Sequence, residues 1–305
     1  MVKNYNYICF MLKLRLIIGL LFLNGLAYAQ LLTDDKAHIK SIAERWELVD
    51  SLRRGTFLLT SYKPFYFSAG RWSDNPNNQP FSENPLYSVG SPTEYNNYEA
   101  RFQLSFKTKV LQGIFWGAAD LWAAYTQKAH WQIYNTKVSR PFRELNYEPE
   151  VLLNFGVKYK LFGFEGRTLG MAFNHQSNGR DLPRSRSWNR VMFHTAMERK
   201  NWQITLRPWI RLKDAEDENP AIADYLGRGE VTVVYGKTGH QFYFVGTHPF
   251  TFKNIARGSA QLNWVFPLHA HLKGHAQFSA GYGETLIDYN HSQRTIGLGI
   301  SFVDW

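Results

Sequence analysis

Three segments of this chain alternate apolar and polar side chains with a period of two. They are residues 98–110, 151–161 and 202–211. Successive side chains of a β-strand point to opposite faces, so this spacing predicts strands with one apolar and one polar face. Each segment is about ten residues long, which is the length of a tilted strand that crosses a bilayer. Charged residues such as Glu99 and Lys107 lie on the polar face, where a water-filled barrel interior accommodates them.

A soluble antiparallel sandwich with one wet face is the alternative fold. Its strands are usually nearer five or six residues. Aromatic residues make up 16% of the chain, and a membrane barrel uses them for the girdles at both interfaces. Nine further strand candidates lie at residues 63–71, 116–127, 167–177, 189–199, 229–236, 239–248, 258–266, 270–281 and 294–304. The total is even, as in single-chain bacterial barrels, and we predict an all-β, 12-stranded antiparallel transmembrane β-barrel over residues 63–305.

The amino-terminal residues have the pattern of a secretory signal peptide. Three cations precede an apolar run at residues 16–23, and Ala27-Tyr28-Ala29 follows. The run is too short to cross a bilayer as a helix, so residues 1–29 are predicted to be a signal peptide cleaved after Ala29. An uncleaved interfacial anchor is the alternative. The chain has one cysteine, Cys9, inside this segment, which excludes a disulfide in the mature protein.

Residues 30–62 are polar and mixed, and they are predicted to form a periplasmic amino-terminal segment that is partly helical. Residues 73–96 are rich in Asn, Pro and Ser and are predicted to be a loop. The formal net charge of +10 suits anionic lipid or nucleic acid. No basic run is interleaved with aromatic residues at the spacing of a nucleic-acid motif, and the predicted secretion also argues against a nucleic-acid partner.

Three polar side chains extend the apolar face of two consecutive strand candidates. Alternation puts His175 and Ser177 on the face of Phe173, and it puts Asn189 on the face of Phe193. Residues 178–188 join the two segments directly, so the segments are predicted to be antiparallel neighbours in which Asn189 approaches His175. If the apolar face touches lipid, the three side chains lie outside the barrel near one membrane interface.

Serine, histidine and an orienting amide form a nucleophile, a base and a group that fixes the imidazole tautomer. Ser177 is predicted to attack an ester carbonyl, with His175 as base and Asn189 as orienter. The alternative is two polar residues at a strand end, because His-x-Ser is by itself a weak pattern. A lipid-directed position favours function, since polar groups there are costly and tend to be functional.

The loop that follows Ser177 offers further candidate groups. Asn178-Gly179 is a turn signal, and the Gly179 N–H is also placed to donate to a developing oxyanion. Serine and carbonyl oxygens in this loop suit a hard cation such as Ca²⁺. Its arginines, which are predicted to be solvated charges able to meet lipid phosphates, are Arg180, Arg184 and Arg186.

These residues resemble outer membrane phospholipase A. The strings NHQSNGR at 174–180 and SRSWNR at 185–190, with Pro183 between them, match the signature of that family. The resemblance continues at YTQK, PFRELNYEP and GYGETLIDYN, which are residues 125–128, 141–149 and 281–290. It extends over about residues 97–305 and is weak before them.

The resemblance implies a 12-stranded barrel in the bacterial outer membrane that hydrolyses the sn-1 and sn-2 esters of phospholipids and lysophospholipids. It implies a requirement for Ca²⁺ and activation by formation of a homodimer. His175, Ser177 and Asn189 match the catalytic triad, and Gly179 matches the oxyanion donor.

The resemblance also assigns calcium and interface positions. Arg180, through its carbonyl, and Ser185 match calcium positions of one subunit, and Ser139 matches the one given by its partner. Gln127 matches a polar residue of the dimer interface. A further calcium position is an Asp before Asn-Pro in the family, and Glu218 takes it here, with a longer carboxylate reach.

Three other functions remain as alternatives. The first is a non-catalytic structural or porin-like barrel, whose function is indifferent to Ser177→Ala. The second is a barrel enzyme on another lipid, such as a lipid A deacylase. The third is a soluble esterase, which needs no detergent for extraction.

Overall fold

The computed structural model describes residues 39–249, 257–269 and 272–303. In these ranges twelve long antiparallel strands form one closed barrel, in which each strand pairs with the next and β13 pairs back to β2. The strands are β1 (Thr60–Ser61), β2 (Phe65–Ser73), β3 (Tyr98–Ile114), β4 (Ala119–Trp131), β5 (Phe142–Leu161), β6 (Phe164–Ser177), β7 (Ser187–Arg199), β8 (Trp202–Leu212), β9 (Gly229–Lys237), β10 (His240–Thr247), β11 (Ser259–His269), β12 (Leu272–Tyr282) and β13 (Ser292–Val303). The two-residue β1 pairs with β3 beyond the end of β2. The predicted 12-stranded antiparallel barrel is confirmed.

Strand β5 begins at Phe142, nine residues before the predicted start at 151. Its first half carries charged side chains that point inward, and Arg143 and Glu144 are both buried. On the outer face Leu145 and Tyr147 keep the apolar period, but Pro149, which is unusual inside a strand, separates them from the predicted start and hides the extra pairs. The long strand matters for the site, because its first half runs beside the end of β6.

The two faces of the strands have opposite character. On β6, Leu169, Met171 and Phe173 are 42–53% exposed on the outer face. The residues between them point inward, and Ala172 and Asn174 are buried. A soluble protein rarely exposes a continuous apolar band of this kind, whereas the outer wall of a membrane barrel requires one.

Ion pairs fill the interior towards one end of the barrel. The carboxylate of Glu99 contacts Arg71 at 2.7 Å and Arg143 at 2.9 Å, and Arg143 also contacts Asp288 at 2.8 Å. All four side chains are nearly fully buried. Buried charges are tolerated when they are paired and hydrogen-bonded, so this network fixes β2, β3, β5 and the loop after β12 relative to one another.

The amino-terminal part of the described chain enters the barrel. Helix α1 (Ile42–Trp46) starts with a capping box, in which Ser41 and Glu44 bond reciprocally. The N–H of Ile42 donates to Glu198 on β7 at 2.8 Å, and Trp46 lies in a buried cluster with Trp122 of β4. The periplasmic assignment of residues 30–62 stays a prediction, and the described part of that segment packs against inward-facing side chains.

Lys107 anchors this helix through aromatic rings. Its ammonium lies 3.9 Å from the ring centre of Trp46, 5.2 Å from that of Trp122 and 5.9 Å from that of Tyr62. Within the described ranges this ammonium, which is fully buried, has no hydrogen-bond partner. The attraction of a cation to ring faces, strongest when water is excluded, therefore holds it.

Trp46→Ala is expected to lower the free energy of unfolding by about 3 kcal/mol, because it opens a cavity in the cluster and removes the nearest ring from Lys107. The midpoint of urea unfolding in lipid vesicles measures this effect. Val49→Ala is the control, since Val49 is 46% exposed just past the same helix. Equal midpoints for the two variants would show that the helix does not stabilise the barrel.

The two ends of the barrel differ in the length of their connections. Turns of two to four residues join β3 to β4, β5 to β6 and β7 to β8 at one end. Long loops lie at the other end, including residues 74–97, 178–186 and 213–228, the last with helix α2 (Ile222–Leu226). No helix in the described part of the chain is long and apolar enough to cross a membrane. The predicted signal peptide, residues 1–29, lies outside the described residues.

Candidate active site

The three polar residues singled out above meet on the outer wall, at the long-loop end of β6 and β7. His175 and Asn189 are direct cross-strand partners, and Ser177 pairs with Ser187. All four are half-buried and share the face of Phe173. The alternation therefore predicted the outward direction of these side chains, and the connection through residues 178–188 predicted that the two strands are neighbours.

A hydrogen bond joins the imidazole to the amide. His175 Nδ1 and Asn189 Oδ1 are 2.8 Å apart. Because an amide oxygen only accepts, Nδ1 carries the hydrogen and Nε2 is left with its lone pair. In the part of the chain that the structure describes, the Ser177 hydroxyl makes no hydrogen bond, and it lies on the same outer face as the imidazole. A hydroxyl without a partner on the face of an imidazole that has a free nitrogen lone pair fits a nucleophile with its base.

Asn178 shapes the loop between β6 and β7. Its buried side chain accepts from the backbone N–H of Arg186 at 2.9 Å, and it donates to Glu144 at 3.0 Å and to the carbonyl of Arg184 at 2.8 Å. These contacts fix both ends of residues 178–186. The Asn-Gly pair is therefore more than a hairpin turn signal, because it positions Gly179 next to Ser177.

Gly179 occupies a conformation that favours glycine. Its φ is +60°, in the left-handed region, and a Cβ there would lie 3.1 Å from the ring of Tyr147. Tyr147 is the cross-strand partner of Ser177 on β5. A backbone without a side chain is thus kept close to Ser177, as an oxyanion donor requires.

The prediction of solvated loop arginines is wrong for Arg186. Its side chain is fully buried, and its guanidinium donates to the carbonyls of Ser185 and Tyr87, both at 2.7 Å. Burial lowers the pKa of this guanidinium. Its physical role is to tie the 178–186 loop to residues 81–87, because carbonyl dipoles compensate a buried cation. Arg180 likewise donates to a carbonyl, that of Phe142, at 2.8 Å.

Two of the predicted calcium residues are in contact. The Ser185 hydroxyl donates to Glu218 Oε1 at 2.6 Å, although the residues lie on different loops. The other oxygen of Glu218, Oε2, is buried and has no hydrogen-bond partner within the described ranges. A hydroxyl next to an unsatisfied carboxylate oxygen fits a hard cation. Arg180 lies on the same loop as Ser185.

The remaining predicted calcium residue stands apart. Ser139 is on the loop between β4 and β5, with a left-handed backbone at φ 60°. In the ranges that the structure describes, no three His, Cys, Asp or Glu side chains cluster as a metal site. A cation at Ser185 and Glu218 therefore draws its other ligands from backbone carbonyls, water or a second subunit.

Two residues near the triad were not predicted as site residues. The Asn189 amide donates to Asp214, at 3.2 Å to Oδ1 and 3.5 Å to Oδ2. Tyr147 covers Gly179. The signal for Asp214 was its position two residues beyond Leu212, the β8 partner of Asn189, which puts it on the same face by alternation. This assignment of Asp214 to the face of Asn189 could be made only once the end of β8 was known.

Gln127 lies in line with Ser177 on the outer wall. It pairs with Tyr147 across β4 and β5, and Tyr147 pairs with Ser177 across β5 and β6. Adjacent strands are about 4.8 Å apart, so Gln127 and Ser177 are separated by roughly 10 Å. A second molecule that contacts Gln127 is therefore close to Ser177.

The chain matches known proteins along most of its length. The family model described as phospholipase A1 matches residues 42–302. A relative named putative phospholipase A1, from Neisseria meningitidis serogroup B, is 37% identical over 82% of this chain and 67% of its own length. The structure is similar to outer membrane phospholipase A from Escherichia coli, with a TM-score of 0.71, 32% identity and coverage of 81% of this chain and 94% of the other.

A second solved structure carries a bound metal. It is the Salmonella typhi outer membrane phospholipase dimer with bound calcium, which has a TM-score of 0.73 and 32% identity. The match covers 83% of this chain and 94% of the Salmonella typhi chain.

Proposed function

Since this chain belongs to the outer membrane phospholipase A family, we propose that it hydrolyses the sn-1 and sn-2 acyl esters of phospholipids and lysophospholipids through Ser177, His175 and Asn189. The observation that carries the proposal is the 2.8 Å bond between His175 Nδ1 and Asn189 Oδ1 on the lipid-facing wall. It leaves the second imidazole nitrogen free to take a proton from the serine beside it.

The chemistry proceeds in two steps. Ser177 Oγ attacks the ester carbonyl while His175 Nε2 takes its proton, and the Gly179 N–H donates to the oxyanion. Collapse expels the alcohol, to which His175 returns the proton, and leaves an acyl-serine. Water then attacks the acyl carbon with the same base, and the products are a fatty acid and free Ser177.

The site reaches its substrate from the side of the barrel. Bacterial barrels have short turns on the periplasmic side and long loops outside, and Ser177 is next to a long loop. Phe173 is exposed to lipid beside it. Phospholipid in the outer leaflet therefore has direct access, without passing through the ion-paired interior.

Calcium is proposed to bind at the loop oxygens. Ser185, Glu218 and the carbonyl of Arg180 would hold it, and Ser139 would contribute from a second subunit. A bound Ca²⁺ supplies positive charge that stabilises the oxyanion. The buried, unsatisfied Oε2 of Glu218 supports this position, and the solved Salmonella typhi protein is a dimer with bound calcium.

A homodimer is the proposed active form. Gln127 and Tyr147 extend the outer face from the nucleophile towards β4. A partner docked there would form a wall for the acyl chain next to Ser177.

Release of fatty acid from phospholipid in mixed micelles tests the function. The refolded protein is expected to hydrolyse phospholipid when calcium is present. A chelator is expected to lower the rate about 100-fold or more, because the oxyanion then loses the positive charge of the bound cation. Lipopolysaccharide in parallel tests for a lipid A deacylase. No hydrolysis by a folded, cross-linkable dimer would leave a structural barrel as the better account.

Glu218→Ala locates the metal. The calcium concentration for half-maximal activity is expected to rise about tenfold, since calcium affinity depends on the number of carboxylate ligands. Glu216→Ala removes the same charge from an exposed position two residues away and is expected to leave that concentration unchanged. Matching shifts in both variants would indicate a general effect of charge rather than ligation.

A further inference from the structure

Asp214 lies next to the triad on an anchored loop. Arg211 contacts Asp217 at 2.6 Å and donates to the carbonyl of Pro220 at 2.9 Å. The Ser82 hydroxyl donates to the carbonyl of Glu218 at 2.7 Å. The loop that follows β8 is thus held at Arg211 and again from Asp217 onward, and Asp214 lies between these two anchored points.

The Asn189 amide has two possible orientations, and His175 alone does not decide between them. An imidazole nitrogen is able either to donate or to accept. If the amide nitrogen faced His175, Nδ1 would accept and the hydrogen would be on Nε2. The base would then have no lone pair directed at Ser177, and proton transfer would stop.

A carboxylate removes this ambiguity. Asp214 accepts hydrogen bonds and offers none, so it requires the amide nitrogen of Asn189 on its side. The amide oxygen must then face His175, where the distance to Nδ1 is 2.8 Å. The hydrogen is placed on Nδ1 as a consequence, and Nε2 becomes the base.

We propose that Asp214 is a positioning residue, a fourth member of the relay that fixes the Asn189 amide and through it the catalytic tautomer of His175. The proposal rests on the hydrolase function above. It also gives the amide a source of negative charge: when His175 becomes protonated, the carboxylate polarises the amide towards the imidazolium. Asn189 thereby acts as a neutral relay between two charges.

The loop joins this relay to the proposed calcium residues. Asp214 and Glu218 are four residues apart, and they contact Asn189 and Ser185 respectively. One short segment therefore sets the orientation of the base and one ligand of the metal. A shift of the loop changes both together.

A double-mutant cycle tests the proposal. Asp214→Ala is measured in the wild-type protein and in Asn189→Ala, by kcat on micellar phospholipid and by the rate at which an alkyl sulfonyl fluoride labels Ser177. In the wild-type background both rates are expected to fall about fivefold, the effect of one partly exposed hydrogen bond to a charge. In the Asn189→Ala background the same change is expected to have no effect, because no amide remains to be oriented.

Two further variants separate positioning from charge. Asp214→Asn keeps an acceptor but adds a donor, so it is expected to lose less than Asp214→Ala. Glu216→Ala removes a charge from the same loop and is expected to leave both rates unchanged. Equal losses from Asp214→Ala in both backgrounds, or no loss in either, would overturn the proposal.

The labelling rate keeps this result distinct from a failure of the proposed function. If phospholipid is not a substrate but the labelling of Ser177 still depends on Asp214 through Asn189, the positioning role of Asp214 is supported and the proposed substrate is wrong. If phospholipid is hydrolysed but Asp214→Ala has the same effect in both backgrounds, the positioning role of Asp214 is wrong and the proposed function is supported.

Discussion

Ser177→Ala is expected to abolish fatty-acid release while the barrel folds as before. Removal of the nucleophile in a serine hydrolase leaves no group able to form the acyl intermediate, and the loss in kcat is at least about 10⁴-fold. The Ser177 hydroxyl makes no hydrogen bond in the described part of the chain, so its removal leaves no partner unsatisfied. Hydrolysis of micellar phospholipid at saturating calcium measures the change.

Ser187 provides the matched control for this variant. It is the cross-strand partner of Ser177 and lies half-buried on the same outer face. Ser187→Ala makes the same chemical change one strand away, and its activity is expected to stay within about twofold of the wild type, as for surface substitutions that break no contact. Comparable residual activity in the two variants would refute Ser177 as the nucleophile.

The outward face of β6 and β7 could be predicted from the sequence because one period-two pattern decides it. Phe173, His175 and Ser177 share parity, and the apolar members of the set identify the lipid side. The same rule identified the inward charges of β3. Pairing of His175 with Asn189 then followed from the direct connection between the two strands.

The interior could not be predicted in the same way. The contact of Arg143 with Asp288 joins residues 145 positions apart, and no local pattern specifies it. Burial of Arg186 depends on carbonyls from residues near 81–87, which a separate loop supplies. Long-range partners of this kind depend on how the loops pack over the barrel end, so an arginine in a polar loop gives no sign that it is buried.

The contact of Asp214 with Asn189 lies between these two cases. The parity that places His175 also places Asp214, once the register of β7 and β8 is known. The sequence does not give that register, because Pro208 and the charged residues after Leu212 obscure the end of β8. Site residues on regular strands were therefore predictable, while those just past a strand end required the structure.

Gly179→Ala is expected to lower kcat about 100-fold, close to the cost of losing one oxyanion donor. The residue has φ +60°, which costs a residue with a Cβ about 1–2 kcal/mol. The new Cβ would also lie 3.1 Å from the Tyr147 ring, tighter than ordinary van der Waals contact. Both effects favour a backbone shift that turns the N–H away from the carbonyl under attack. Initial rates at saturating substrate measure the loss, which should appear in kcat rather than KM.

Gly163→Ala separates this catalytic effect from strain. Gly163 has φ +79° in the turn between β5 and β6, and its Cβ would also lie 3.1 Å from a neighbour, the Arg199 guanidinium. The two substitutions therefore impose similar backbone strain at opposite ends of the barrel. Gly163→Ala is expected to lower the urea midpoint and to leave kcat unchanged, because no reacting group is nearby. If both variants lost activity in proportion to stability, the Gly179 N–H would have no special part in catalysis. A loss confined to Gly179→Ala would identify the backbone beside Ser177 as the oxyanion donor.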